Sequence, residues 1–383
     1  MNATQSTAPI PSVNSVPSVA PVPSVDLLRP DVITMSPYTP IFPFDVLAAR
    51  LGRTPDDIIK LDANENPYGP PPQVREALAN LRYAHIYPDP ESRALRAALA
   101  KFTGVSADLL AAGAGADELI DLTMRLFLQP GDAIVNCPPT FGMYAFDAAV
   151  CGARVIPVPR RSDFSLDLDA IEKAVQRYHP KLIFVASPNN PDGGWLPDAD
   201  LERLLVLPIV VVLDEAYVEF AGVERSRIRQ VPQRDNLIVL RSFSKWAGLA
   251  GLRVGYGAFP AALMPHLWKI KQPYNVSVAA SAAAIAALED ATYLERHIAR
   301  MVAERERLAR LLTEIPYLHP YPSQSNFVLC RVVGRDACQL KLALEREGIL
   351  VRYFDQPGLH DHIRISVGRP DHTDALIAAL KRL

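Results

Sequence analysis

Lys245 lies in the stretch Asn236 to Tyr256, NLIVLRSFSKWAGLAGLRVGY, just after two serines that flank a phenylalanine and eight residues before Arg253. The run Leu237-Ile238-Val239-Leu240 is apolar, rich in β-branched residues and too short for a helix, so it reads as a buried strand. Lys245 then falls just past the end of that strand, where an amine can attack a carbonyl and form a Schiff base. Ser242, Ser244 and Arg253 add two hydroxyls and a planar cation, the groups that hold a phosphate. A cofactor carrying both an aldehyde and a phosphate would use all four positions. An isolated SxSK is more often a solvated turn, so the other clusters decide.

Pyridoxal phosphate has that chemistry, and the other polar clusters answer its remaining needs. Asp214, at the end of the apolar run Ile209 to Leu213, can keep the pyridine nitrogen protonated so that the ring acts as an electron sink. Asn190 and Tyr217 can donate to the phenolate oxygen, and Phe141 can stack on a ring face. The backbone of Ala116 and Asp117, at a helix start after the small-residue turn Gly113-Ala114-Gly115, joins Ser242, Ser244 and Arg253 around the phosphate. Once a substrate amine has displaced it, Lys245 can move a proton between the substrate α-carbon and the C4′ carbon of the cofactor. Each has a plain alternative: Asp214 could cap a helix, Asn189-Asn190-Pro191 could be only a turn, and Phe141 could be core. Their conjunction argues for a site.

The elements that must position these groups follow from hydrophobic periodicity. Strands are expected at Leu109 to Ala112, Ala133 to Asn136, Arg154 to Val158, Leu182 to Ala186, Ile209 to Leu213 and Leu237 to Leu240. Helical segments separate them, including one at Leu168 to Tyr178. This is the pattern of an α/β protein with a doubly wound, mainly parallel sheet. Ligands of such sheets gather beyond the carboxyl ends of the strands, where every polar cluster above lies. From Ile315 a βαββα pattern marks a smaller α+β domain. The expected organisation is a Pro/Ser-rich disordered tail at 1–28, an N-terminal arm at 29–60, a large cofactor-binding domain at 61–275 and a small C-terminal domain at 276–383.

Composition narrows the function. The 383 residues carry 40 basic and 42 acidic side chains, a formal charge of −2 that gives no pull toward nucleic acid or anionic membrane. The longest apolar run, Leu204 to Leu213, is about half of a bilayer span and contains Pro208. Four cysteines without a CxxC pair read as thiols in a reducing compartment. His360 and His362 lack a third ligand at suitable spacing, so no metal site is expected. With no Lys or Arg before Arg29, the N-terminal stretch reads as neither a signal nor a transit peptide, which leads to a cytoplasmic expectation.

The motifs SPNNPDGG, DEAY, SFSK followed by Arg253, and IRISVG together resemble the fold-type-I aminotransferases from about Tyr38 to the C-terminus. Within that superfamily SPY, LDANENPYG, DAIVNCPPTFGMY, DEAYVEF, AGLAGLRVGY and GILVR are most similar to the histidinol-phosphate aminotransferases of histidine biosynthesis. The resemblance implies reversible amino transfer between L-histidinol phosphate and 2-oxoglutarate, giving imidazole-acetol phosphate and glutamate. It also implies a homodimer with Tyr68 crossing to the partner subunit's cofactor phosphate, and Tyr38 against the substrate side chain. Arg364 suits the dianionic end of either substrate, because a guanidinium grips carboxylate and phosphate with the same bidentate geometry; Arg352 could share that work or form a structural ion pair. Three positions depart from the pattern: GAGADE replaces the common GNGSDE, Asp192 replaces a common Thr, and Phe141 replaces a frequent Tyr.

Other readings are an aromatic amino acid aminotransferase, a phosphothreonine decarboxylase of the same superfamily, and a protein of this fold that has lost catalysis and serves as a regulator. The presence of Lys245, Asp214, Arg253 and Arg364 argues against the last.

Overall fold

The computed structural model describes residues 23–35, 37 and 44–383; the tail up to residue 22 and Tyr38 lie outside the described residues. The chain divides into two compact units, Met1–Pro37 and Tyr38–Leu383. The first contains a 3-10 turn, Ser24–Leu27, and a one-turn helix, Pro30–Thr34.

The second unit holds the twelve strands found among the described residues: β1 (Ile59–Leu61), β2 (Leu110–Gly113), β3 (Ala133–Asn136), β4 (Arg154–Pro157), β5 (Leu182–Ala186), β6 (Val210–Asp214), β7 (Leu237–Ser242), β8 (Gly255–Ala258), β9 (Leu318–Pro320), β10 (Phe327–Val332), β11 (Ile349–Tyr353) and β12 (His362–Ser366). Seven of them form one sheet in the order β2-β8-β7-β6-β5-β3-β4. Only β8 runs against its neighbours, and the other pairings, from β4 across to β7, are parallel. Every residue of β5 and β7 is buried. That explains the unbroken apolar sequence of β5 and of Leu237–Leu240 in β7: a parallel strand covered by helices on both faces has no polar side to show.

β8 breaks the apolar pattern with Gly-Tyr-Gly-Ala, and its glycines have a steric cause. A Cβ on Gly255 would come within 2.6 Å of the Ala116 nitrogen and the Gly115 carbonyl carbon. The strand is glycine there because the loop into the helix Ala116–Phe127 lies directly against it.

The segment DEAYVEF, which starts on the last residue of β6, does two jobs. Asp214 and Tyr217 line a cavity. Glu215 turns away, accepting from the Ser226 hydroxyl at 2.5 Å and the Arg227 amide at 2.6 Å. Glu219 meets Arg241 of β7 at 2.5 Å in a pair that is almost wholly buried.

The second sheet has the order β1-β11-β12-β10-β9. The helix Ala337–Arg346 joins β10 to β11, and the helix Pro370–Arg382 follows β12. β1 pairs in parallel with β11, so a strand from the N-terminal side of the unit completes the C-terminal sheet. Beyond β1 the chain enters the loop Asp62-Ala63-Asn64-Glu65-Asn66. No helix among the described residues is long and apolar enough to cross a membrane.

Candidate active site

A cavity of about 330 Å³ opens at the carboxyl ends of β3, β5, β6 and β7 and is closed by residues of the C-terminal sheet. Lys245, three residues past the end of β7, reaches it and donates from Nζ to the Ala63 carbonyl at 3.0 Å. Burial, and behind it the Arg364 guanidinium, lowers its ammonium from the usual range to about 8. Part of the population therefore carries a neutral, nucleophilic amine near neutral pH.

Asp214 forms another part of the wall. Its Oδ2 accepts from the Tyr144 hydroxyl at 2.6 Å and its Oδ1 from the Ala216 amide at 3.0 Å. Burial pushes its carboxyl above the ordinary carboxylate range, and the two donors work the other way. A cationic N–H placed against this group would relieve the cost of burying the charge.

Tyr217 presents its hydroxyl to the same cavity and accepts there from Asn64 Nδ2 at 3.0 Å. Arg364, on β12, donates to the Asn190 side-chain oxygen at 2.5 Å and to the Asp62 carbonyl at 2.7 Å. With its oxygen turned to Arg364, Asn190 keeps its N–H groups as the end able to donate elsewhere. Arg352 pairs across β11–β12 with Arg364 in register, and both guanidinium groups lie over the ring of Phe354, at 5.6 and 5.5 Å. The result is a cationic, aromatic-backed end to the cavity.

A second anion-binding cluster, an N–H and hydroxyl cradle, is built from Ala116, Asp117, Ser242, Ser244 and Arg253, all on the cavity wall. Ser242 donates to Ser244 at 2.9 Å. Arg253 donates to Asp117 at 2.7 Å from a left-handed backbone position, φ +52°. The helix behind begins after Gly115, φ +85°, where a Cβ would come within 2.5 Å of the Arg253 guanidinium. Free amides of a helix start beside a guanidinium make an anion site, and the Ala side chains of GAGADE leave those amides in place. Phe141 lies on the wall edge-on to Tyr144, with ring centroids 5.5 Å apart. Asp192 accepts from Asn189 and from the Gly194 amide, so it serves its own loop.

Tyr68 is not on this wall; it packs edge-on to His297 at 5.0 Å with Arg300 over its ring at 4.4 Å. Tyr38 lies outside the described residues. Tyr144 and Asn64 are the participants that motif reading passed over. A tyrosine at the start of the mostly apolar helix Met143–Val150 is a signal, since a buried hydroxyl needs a partner. Asn64 gives no such signal.

The donor set fits pyridoxal phosphate: a buried amine, a buried carboxylate, hydroxyl and amide donors between them, and a cradle of N–H groups, hydroxyls and a cation for the phosphate. The family model for class I and II aminotransferases matches residues 56–380. A histidinol-phosphate aminotransferase of Nicotiana tabacum, chloroplastic by name, is 59% identical over 355 residues, 92% of this chain and 86% of the relative. One of Roseiflexus castenholzii is 54% identical, covering 93% of this chain and 98% of the relative. The crystal structure of the Sinorhizobium meliloti histidinol-phosphate aminotransferase with pyridoxal-5′-phosphate superposes with a TM-score of 0.84 at 32% identity, over 93% of this chain and 96% of that one.

The chloroplastic relative overturns one expectation, that of a cytoplasmic protein whose N-terminal stretch excludes a transit peptide. The lack of an early Lys or Arg was too weak a criterion. Transit peptides are also Ser-rich and poor in acids, and the stretch before Asp26 holds five serines and no acidic residue.

Proposed function

The chain belongs to the class I and II aminotransferases, and we propose that it moves an amino group reversibly between L-histidinol phosphate and 2-oxoglutarate, yielding imidazole-acetol phosphate and glutamate in histidine biosynthesis. The observation that carries this is one cavity with a buried lysine whose ammonium is lowered to about 8, a buried carboxylate and an aromatic-backed arginine on its wall. Pyridoxal phosphate, when bound, supplies the aldehyde that carries the amino group and a ring that accepts the electron pair released at the substrate α-carbon.

The chain's own residues do the rest. Lys245 provides the amine that anchors the cofactor and, when free, carries the proton at the substrate α-carbon. Asp214, held at both oxygens, keeps a positive N–H opposite it. Tyr217 and Asn190 offer hydrogen bonds to the ring's phenolic oxygen. The Ala116 and Asp117 amides, Ser242, Ser244 and Arg253 hold the phosphate, and Phe141 covers the ring. Arg364, with Arg352 beside it, takes the phosphate of one substrate or the distal carboxylate of the other by the same forked geometry. The working body is a large domain at 61–275 with a small one at 276–383, preceded by an arm at 29–60. Tyr68, placed away from its own cavity, serves the phosphate of the partner subunit in a homodimer, and Tyr38 borders the substrate.

Single-turnover reaction of the yellow, loaded protein with histidinol phosphate, phenylalanine and phosphothreonine in turn tests the reading. Histidinol phosphate should transfer its amine fastest; a faster phenylalanine would point to an aromatic aminotransferase.

A further inference from the structure

The loop Asp62-Ala63-Asn64 has no part in the chemistry above, yet its successive residues touch three working side chains. The Asp62 carbonyl accepts from Arg364, the Ala63 carbonyl from Lys245, and the Asn64 amide donates to Tyr217. Asn64 is 1% exposed and sits in the left-handed region at φ +56°, a conformation that asparagine tolerates better than most residues. We propose that Asn64 is a positioning residue that sets the direction of the Tyr217 hydroxyl, an inference that rests on the aminotransferase reading of the cavity.

Donor polarity makes the case. The Asn64 backbone N–H donates to Ser366 Oγ at 2.9 Å, so the serine proton points onward, to Asn64 Oδ1 at 2.9 Å. With Oδ1 occupied as an acceptor, the other end of the amide, Nδ2, must face the Tyr217 oxygen at 3.0 Å. Tyr217 accepts there, and its own proton is left to donate into the cavity. Asn326 Nδ2 donates to the Asn64 carbonyl at 2.9 Å and keeps the loop from rotating. Burial holds the Tyr217 phenol above its usual range; the Arg364 guanidinium and the Asn64 hydrogen bond pull it down, and the carboxylates of Asp214 and Asp117 push it further up. Among the described residues, Asn64 is the hydrogen-bond partner of the Tyr217 hydroxyl, and Phe327 packs edge-on to its ring at 5.2 Å.

Two variants separate direction from loop shape. Asn64→Gly keeps the left-handed backbone without strain and removes the amide. Asn64→Asp keeps size and offers Tyr217 an acceptor, which turns the phenol proton away from the cavity. The readout is the pH midpoint of the visible absorption of the pyridoxal-phosphate-loaded protein. A phenolate oxygen that loses a donor holds its neighbouring proton more tightly, so the midpoint rises. The expected rise is about one pH unit for Asn64→Asp and roughly half that for Asn64→Gly. Turnover should fall about tenfold in Asn64→Asp, with KM for histidinol phosphate within about twofold. Midpoints equal to that of the unvaried protein in both variants would overturn the inference. An unvaried protein without a pH-responsive visible band would instead overturn the reading beneath it.

Discussion

Tyr144 and Asp214, 70 residues apart, are joined by a 2.6 Å hydrogen bond in which the buried hydroxyl donates to the buried carboxylate. After burial it is the leading influence on that carboxyl, and it favours the charged form. Tyr144→Phe leaves Asp214, among the described residues, with the Ala216 amide as its donor, so holding its charge costs more. Pyridoxal phosphate should bind about tenfold more weakly, or about 1.4 kcal/mol, in a reconstitution titration. An unchanged affinity would remove Tyr144 from the site.

Lys245 carries a pH prediction. Its ammonium is lowered to about 8, and only the neutral amine attacks an aldehyde. Below pH 8 the protonated form dominates, so capture of pyridoxal phosphate by the cofactor-free protein should slow about tenfold for each further pH unit. Above 8 it should level off. A rate still climbing tenfold per unit to pH 10 would mean an ordinary, solvated lysine.

Arg253 should separate binding from stability. Its pair with Asp117 is half-exposed on both sides, 48% each, and such pairs contribute less than about 1 kcal/mol. Arg253→Ala should leave the thermal midpoint of the cofactor-free protein nearly unmoved. Its affinity for pyridoxal phosphate should drop at least about tenfold, because a charge-assisted contact to phosphate is lost. Equal losses in both would make Arg253 a structural residue.

The Arg241–Glu219 pair makes the opposite prediction. Both side chains are buried, and the guanidinium also faces the rings of Phe102 and Tyr256. Glu219→Ala strands a buried cation and should cost about 3–5 kcal/mol in denaturant unfolding. Replacing both residues with apolar ones of similar volume should recover most of that loss. If the single variant loses under about 1 kcal/mol, water reaches the pair.

What could be read in advance depended on how local each signal was. The bounds of β3 and β5 and of the helix Leu168–Tyr178 match the residues read from periodicity, because buried strands and regular helices carry their pattern in neighbouring residues. β8 was invisible, since the contact that demands glycine at 255 comes from a loop some 140 positions earlier in the chain. β1 and β9 are three residues each, too short for a period to show. In the cavity, Lys245, Asp214 and Tyr217 stand in compact motifs after strand ends. The Asn64–Ser366 bond spans 302 residues, and no nearby pattern hints at it.

The strand Ile59–Leu61 has one more implication, for anyone who would dissect the molecule. A piece beginning near residue 276 would lack that strand and expose the backbone of β11 along a raw parallel edge. Such a fragment should clump in solution, and adding a synthetic peptide of residues 56–66 should rescue it. The seven-stranded sheet closes without help from the C-terminal segment, whereas the five-stranded one is finished only by a strand from the far side of the chain, so the dependence runs one way.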